Sequence, residues 1–331
     1  MVISLRPLSK SGNSLKSFVN GFVLTKQTEG KSPRTVEFYS ENLKRFLWYS
    51  VKQEWSDDIR IITEWNIREF LGYVGSQEKR WGVSGNGSET SKRKASFTTI
   101  HHYFVVLANF FGWAVREGFL DLDPTSTIKM AKPKEKVIKP YSQDELLRML
   151  SVCEMDYEGN AKFLGSRNKA VILVLLDSGV RLSELQGMTL EDINTSNGNI
   201  KVLGKGNKER IVRIGKVAQK AVWRYLMYRP ENRSNKLWLN EEGKPLNSVG
   251  IQSLVQRLKE RGKVGGSGSV HRFRHTFALN FLRADKNVFN LQYLLGHSQL
   301  EMVKRYTATL GMEDALKAHE KASPADMLGL K

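Results

Sequence analysis

The stretch that most constrains how this chain can fold is PTSTIKMAKPKEKVIKP, residues 124–140. Its three prolines, Pro124, Pro133 and Pro140, each remove a backbone donor and fix φ, so no helix runs through it. Five of its residues are lysine and one is glutamate, so the segment repels itself and stays extended. A basic strap of this kind, residues 126–140, reads as a linker between two globular parts. The chain is 331 residues long, which suits two cores better than one. The expected layout is therefore a tail at 1–13, a domain at 14–125, the linker, and a second domain at 141–331 that ends in a C-terminal tail.

The first domain reads as helical. Ser32-Pro33 is a helix start, with proline where its missing N–H costs nothing, and Val36, Tyr39, Leu43, Phe46 and Leu47 follow at helical spacing. The stretch 13–28 supplies a helix before it, Ile67 to Val74 another, and Phe97 to Glu117 a longer one closed by Gly118. Four helices in this span predict a small bundle. Between the last two lies GSQEKRWGVSGNGSETSKRKAS, residues 75–96, which reads as a flexible basic loop. Its Lys79, Arg80, Lys92, Arg93 and Lys94 suit phosphate tracking, with a solvated surface insertion as the alternative.

The second domain opens on a capping-box pattern, Ser142 with Glu145. A buried helix through Ala170–Leu176 is predicted next, then Arg181–Gly187. Strands Ile200–Leu203 and Arg210–Ile214 follow, joined by a turn around Gly204–Asn207, with later helices near 216–228, 247–261, 270–284, 288–295 and 299–308. The fold class is mainly α with a small β component (α+β).

Net charge is +18, from 52 basic and 34 acidic side chains. An excess of that size points to a polyanionic partner, DNA or RNA, bound by displacing condensed counterions. Lys132, Lys134 and Lys136 of the linker suit a path over a duplex backbone. No basic amphipathic helix argues for a membrane surface, and no run of about 18 apolar residues is present. Cys153 is the only cysteine, which excludes an internal disulfide and a cysteine-rich zinc site. The N-terminus lacks the apolar stretch of a secretion signal, so a cytoplasmic, nucleoid-associated protein is expected.

Five polar residues and a late tyrosine carry the candidate chemistry: Arg181 in SGVRLSEL, Lys205 in GKGNKER, His271 and Arg274 in HRFRHT, His297 in LLGHS and Tyr306 in KRYTA. Guanidiniums grip non-bridging phosphate oxygens, an ammonium can protonate a departing oxygen, and a phenol flanked by cations can attack. Taken singly, each has a plainer reading. Arg181 suits an ion pair with Glu184, which could also hold its orientation. Lys205 suits a solvated hairpin tip, with Lys208 and Arg210 as rival cations there. A histidine after Gly296 suits a structural cap. His271 and Arg274, three apart, share a helix face, and His275 lies one position on and turns away. No carboxylate or cysteine completes a metal site.

These stretches, in this order and at these intervals, resemble the tyrosine recombinases, also called the phage integrase family, and most of all its Xer-like members. SPRTVEFYSENLKRFLWY and FFGWAVREGFL resemble that family's core-binding domain, so the likeness covers nearly the whole chain. It departs at Phe273, where leucine is common, at Asp123-Pro124, where Asn-Pro is common, and in the long insertion at 75–96. The resemblance implies a core-binding bundle followed by a catalytic domain, and a site-specific recombinase needing no metal, ATP or other cofactor. It implies Tyr306 as nucleophile on a DNA phosphodiester, Arg181 and Arg274 with His297 stabilising the charge, His271 assisting the phenol and Lys205 protonating the leaving 5′ oxygen. Implied too are a 3′-phosphotyrosyl link, a Holliday junction, a homo-tetramer on two duplex sites, and accessory bending or excision factors. Lys208 and Arg210 join the expected DNA contacts. The C-terminal segment with Ala315, Leu316 and Ala318 is expected to dock on a neighbour, or else on its own domain. Rival readings are a type IB topoisomerase and an inert DNA-binding regulator.

Overall fold

The computed structural model describes residues 14–76, 94–133, 138–204, 208–231, 234–266, 270–285 and 287–296, with Leu316, His319 and Ser323 beyond them. The chain divides into two compact units, one ending at Glu135 and the other beginning at Lys136, inside the proline- and lysine-rich stretch. Among the described residues both are built mainly of helices, and one antiparallel hairpin supplies the strands.

In the first unit α1 (Leu15–Thr28), α2 (Pro33–Lys52), α3 (Glu64–Ser76) and α4 (Phe97–Arg116) form the bundle, with one 3-10 turn at Ile59–Ile61. The Ser32 hydroxyl accepts the Thr35 N–H at 3.3 Å and Pro33 fills the first helical position, so α2 starts where its sequence says it should. α3 begins earlier than its apolar spacing suggests. Asn66 accepts both the Thr63 N–H, at 2.9 Å, and the Thr63 hydroxyl, at 2.8 Å, and ties down a polar first turn. At the bundle's centre the Phe46 ring stands nearly perpendicular to those of Phe70 and Phe111, at 5.1 and 6.2 Å. All three side chains are fully buried, each worth roughly 2–3 kcal/mol of transfer free energy.

The second unit is organised around α6 (Lys162–Ser178), whose residues Ala170 to Leu175 are all buried. A helix apolar on every side belongs in the middle of a core. α5 (Gln143–Glu158), opened by the Ser142–Glu145 capping box, α8 (Lys216–Tyr228) and α10 (Val270–Asp285) pack around it. Cys153 is buried on α5, and burial pushes its thiol up to about 12. α7 (Leu182–Gly187) leads to β1 (Asn199–Leu203) and β2 (Glu209–Arg213), which pair Val202 with Arg210. The Gly204 N–H donates to the Lys208 carbonyl at 2.8 Å and closes the hairpin. α9 (Ser248–Arg261) and α11 (Val288–Leu295) complete the described elements. The helix expected at 299–308 lies outside the described residues, as does most of the C-terminal segment.

The rear of α10 is tied to the start of the unit. Arg272 donates to the Lys139 carbonyl at 2.9 Å and to Glu145 at 2.6 Å, and its guanidinium lies 4.0 Å from the centre of the Tyr141 ring. The Tyr141 N–H donates to Thr276 at 2.8 Å, and the Tyr141 ring packs 4.6 Å from Phe273. The phenylalanine that departs from the family's leucine is thus a core residue on the face opposite the candidate site. No helix among the described residues is long and apolar enough to cross a membrane.

Candidate active site

The site begins where α6 stops. Gly179 takes a left-handed conformation, φ 61°, that reverses the chain and ends the helix. Arg181 then sits at the N-cap of α7 in an extended conformation. One turn on, the Glu184 carboxylate reaches back and accepts the Arg181 backbone N–H at 2.7 Å and its Nη1 at 2.8 Å. Both readings of Arg181 therefore coexist: it pairs with Glu184 while its own side chain keeps 34% of its surface exposed.

Glu184 has a second cation. Arg210 of β2 grips it end-on, Nη1 to Oε1 and Nη2 to Oε2, both at 2.8 Å. Only 1% of the carboxylate side chain and 8% of Arg210 remain exposed. Burial alone would raise the Glu184 pKa, but the hydrogen bonds and charges of Arg210 and Arg181 outweigh it and hold the group at about 2.

Arg210, expected as a DNA contact, lies largely buried behind Glu184. Strand alternation was the missed signal. Along β2, Arg210 and Val212 turn inward while Ile211 and Arg213 are exposed, so Arg210 shares its face with buried Val212. Lys208, Lys94 and Lys132 are exposed.

Arg274 is buried in α10 and donates to the Gly179 carbonyl and to the Leu295 carbonyl, each at 2.7 Å. Arg210 Nε reaches the Leu294 carbonyl at 2.8 Å, and Arg181 Nη2 lies 3.4 Å from that of Gly296. Three arginines from three elements thus converge on three successive carbonyls at the C-terminus of α11. These carbonyls have no partner within the helix, and the helix dipole makes this end negative, so guanidinium is the natural cap. Gly296 has φ 61°, and a Cβ there would stand 3.0 Å from Arg210 Nη1, so glycine lets the arginine lie against the turn.

His271 is exposed on the first turn of α10, and burial of part of its surroundings, then Arg274 and Arg181, push its pKa down. His275 does not turn away from it. One helical turn on, its ring lies 5.4 Å from that of His271 at 78°, and burial, then His271 and Arg274, take it down to about 4. Residues four apart share a helix face just as those three apart do.

Lys205, His297 and Tyr306 lie outside the described residues, as do Lys79, Arg80, Lys92, Arg93, Lys134 and Lys136. The chain on the near side of 205 and of 297 is described, and both ends abut Arg210. A Cβ on Gly204 would stand 3.5 Å from Arg210 Nη1 and 3.6 Å from Glu184 Oε1, and Gly296 touches Arg210 as above. Among the described residues no three histidine, cysteine or acidic side chains cluster as metal ligands.

The chain is similar to known proteins over both units. The model of the phage integrase family matches residues 140–311. Tyrosine recombinase XerD of Halalkalibacterium halodurans is 29% identical over 300 residues, covering 89% of this chain and 92% of that protein. Tyrosine recombinase XerD of Staphylococcus saprophyticus is 30% identical over 284 residues, covering 84% of this chain and 89% of that one. Among solved structures, the Tn1549 transposon integrase in complex with transposon right end DNA superposes with TM-score 0.69 at 18% identity, over 94% of this chain and 99% of that one. XerH bound to palindromic difH substrate, a post-cleavage complex, gives TM-score 0.67 at 20% identity, over 91% of this chain and 82% of that one.

Proposed function

The chain belongs to the phage integrase family and is a site-specific tyrosine recombinase of the Xer type, and from that premise we propose that it cleaves and rejoins duplex DNA through a covalent 3′-phosphotyrosyl intermediate at Tyr306. The observation that carries this reading is the convergence of Arg181 and Arg274 on one helix end, the carbonyls of Leu295 and Gly296. Two guanidiniums so placed offer fixed donors to the non-bridging oxygens of one phosphate, where negative charge builds as the phenol attacks. His297, which follows Gly296 directly, adds a further hydrogen bond. Lys205 protonates the departing 5′ oxygen.

His271 takes the phenol's proton. A histidine held below its usual pKa is neutral at pH 7 and has a lone pair to accept with. The same cations that lower its pKa also favour the phenolate. The 5′ hydroxyl of a second strand then attacks the phosphotyrosyl bond, freeing the phenol and forming a Holliday junction, and a second round resolves it. Bond energy is conserved in the covalent link, so the exchange runs without ATP, and side-chain cations carry the role of a metal. Four protomers on two sites accomplish the reaction.

Tyr306→Phe tests the reading. On a nicked suicide substrate the variant is expected to form no covalent protein–DNA adduct while binding the duplex as tightly as wild type. Adducts that survive in it would remove Tyr306 as nucleophile. Comparing plasmid relaxation with two-site recombination separates a recombinase from a topoisomerase.

A further inference from the structure

We infer that Arg210 is a positioning residue: through Glu184 it sets the orientation of Arg181, and through the Leu294 carbonyl it fixes the end of α11 from which residue 297 departs. The inference rests on the proposed role of Arg181 and Arg274 at the phosphate.

A guanidinium has five N–H donors in a rigid plane. Arg210 commits its Nε–H to Leu294 and one N–H from each terminal nitrogen to the two oxygens of Glu184, all at 2.8 Å. With 8% of its side chain exposed it has little surface left for DNA, whereas Arg181 keeps 34%. Arg210 therefore acts behind Arg181. Its bidentate grip occupies both oxygens of Glu184 in one plane. The carboxylate is then locked at the angle from which it receives the Arg181 N–H and Nη1. On its other edge the same guanidinium holds α11, whose next carbonyl is bound by Arg274. One planar group thus registers β2, α7 and α11 against each other.

The charge balance agrees. Among the described residues, the charged groups facing Glu184 are Arg181 at the start of α7 and Arg210 on β2, with Arg274 and His271 of α10 next to Arg181. Without Arg210, one guanidinium would remain to offset the burial of Glu184. Its carboxyl would then rise from about 2 toward and above the ordinary carboxylate range and release Arg181 as it protonates.

The test uses the full chain on the suicide substrate, with adduct formation followed from pH 5 to pH 8. Arg210→Gln is expected to bind duplex with unchanged affinity and salt dependence, and to form adducts about tenfold or more slowly at pH 7, as partners one layer behind a reacting group do. It should also lose further rate toward low pH, beyond the loss that His271 imposes on wild type. In E184Q/R210Q that extra acid limb should vanish, because the titrating group is gone. A wild-type rate and pH profile in Arg210→Gln overturns the inference. So does a variant whose only defect is weaker binding with a salt slope shallower by about one, the signature of a phosphate contact. Should Arg210→Gln fail to fold by circular dichroism, Arg210→Lys keeps the charge and loses the fork. It must then show the same changes in smaller degree, and wild-type behaviour there counts equally against the inference. Adducts that persist in Tyr306→Phe would refute the nucleophile, a result separable from either outcome at Arg210.

Discussion

Glu184 and His271 both have their pKa lowered with help from Arg181, which leaves the carboxylate charged and the imidazole neutral. The guanidiniums of Arg181 and Arg210 hold the carboxyl of Glu184 at about 2, below its ordinary 4.5. A folded-state pKa below the unfolded one means the unfolded chain binds the proton more readily. The pair's stabilisation is therefore present above about pH 4.5 and is lost as pH falls toward 2. Its upper bound is about 3.5 kcal/mol, from roughly 1.4 kcal/mol per unit. Urea unfolding between pH 2 and 6 should show this dependence in wild type and lack it in Glu184→Gln. That variant should also be less stable at pH 7 by about 3–5 kcal/mol, because Arg210 is left buried without its carboxylate. Equal pH slopes in the two proteins would contradict the assignment. At His271 burial, then Arg274 and Arg181, lower the pKa as well, so it is a neutral base at pH 7. Adduct formation by wild type should stay level down to the usual histidine pKa of about 6.5 and fall only below it. A profile falling already between pH 8 and 7 would exclude His271 as the base.

Helix ends, more than helix faces, build the site, and this decides what the sequence revealed. Pro33 after Ser32 and the Ser142–Glu145 box are local signals, written within three residues, and both elements begin where they predict. The order of Arg181, His271 and Arg274 was legible as well, because a motif is a short string. Strand alternation marks Arg210 as inward, but its partners Glu184 and Leu294 lie 26 and 84 residues away in the chain and no periodicity connects them. His275 was misread by assigning its face from Arg274 rather than from His271, four positions back. The end of α6 shows how much a turn contributes. Gly179 has φ 61°, and a Cβ there would stand 2.9 Å from Phe277 Cγ and 3.0 Å from Leu295 Cδ2. Gly179→Ala incurs about 1 kcal/mol for the left-handed backbone and about 1–3 kcal/mol for the overlap. It should therefore lower the urea-derived stability by about 2–4 kcal/mol. Leu295 also supplies the carbonyl that holds Arg274, so adduct formation should fall while duplex affinity holds. A folded Gly179→Ala protein with wild-type stability would show that the turn relaxes freely.

Each unit has its own core, one around Phe46 and Phe111, the other around α6, so neither needs the other's apolar surface to fold. What the whole chain shares is its charge, +18. Arg210, Arg272 and Arg274 turn part of that excess inward, onto carboxylates and carbonyls. Lys94, Lys132 and Lys208 stay exposed, and with the basic residues of 75–96 they are the cations we propose for DNA. Lys and Arg on phosphates release counterions, and log K then falls with log salt by about 0.9 per contact. Replacing Lys92, Arg93 and Lys94 together by glutamine should flatten that slope by between about one and three. Affinity should drop alike for target and random duplex, because phosphate contacts carry no base information. The adduct rate of the bound complex should be unchanged, since Arg181, Glu184 and Arg274 are untouched. Fluorescence anisotropy titrations of both duplexes across a range of salt concentrations measure the slope directly. An unaltered slope would mean these cations face only water, and a loss confined to the target duplex would mean they read bases.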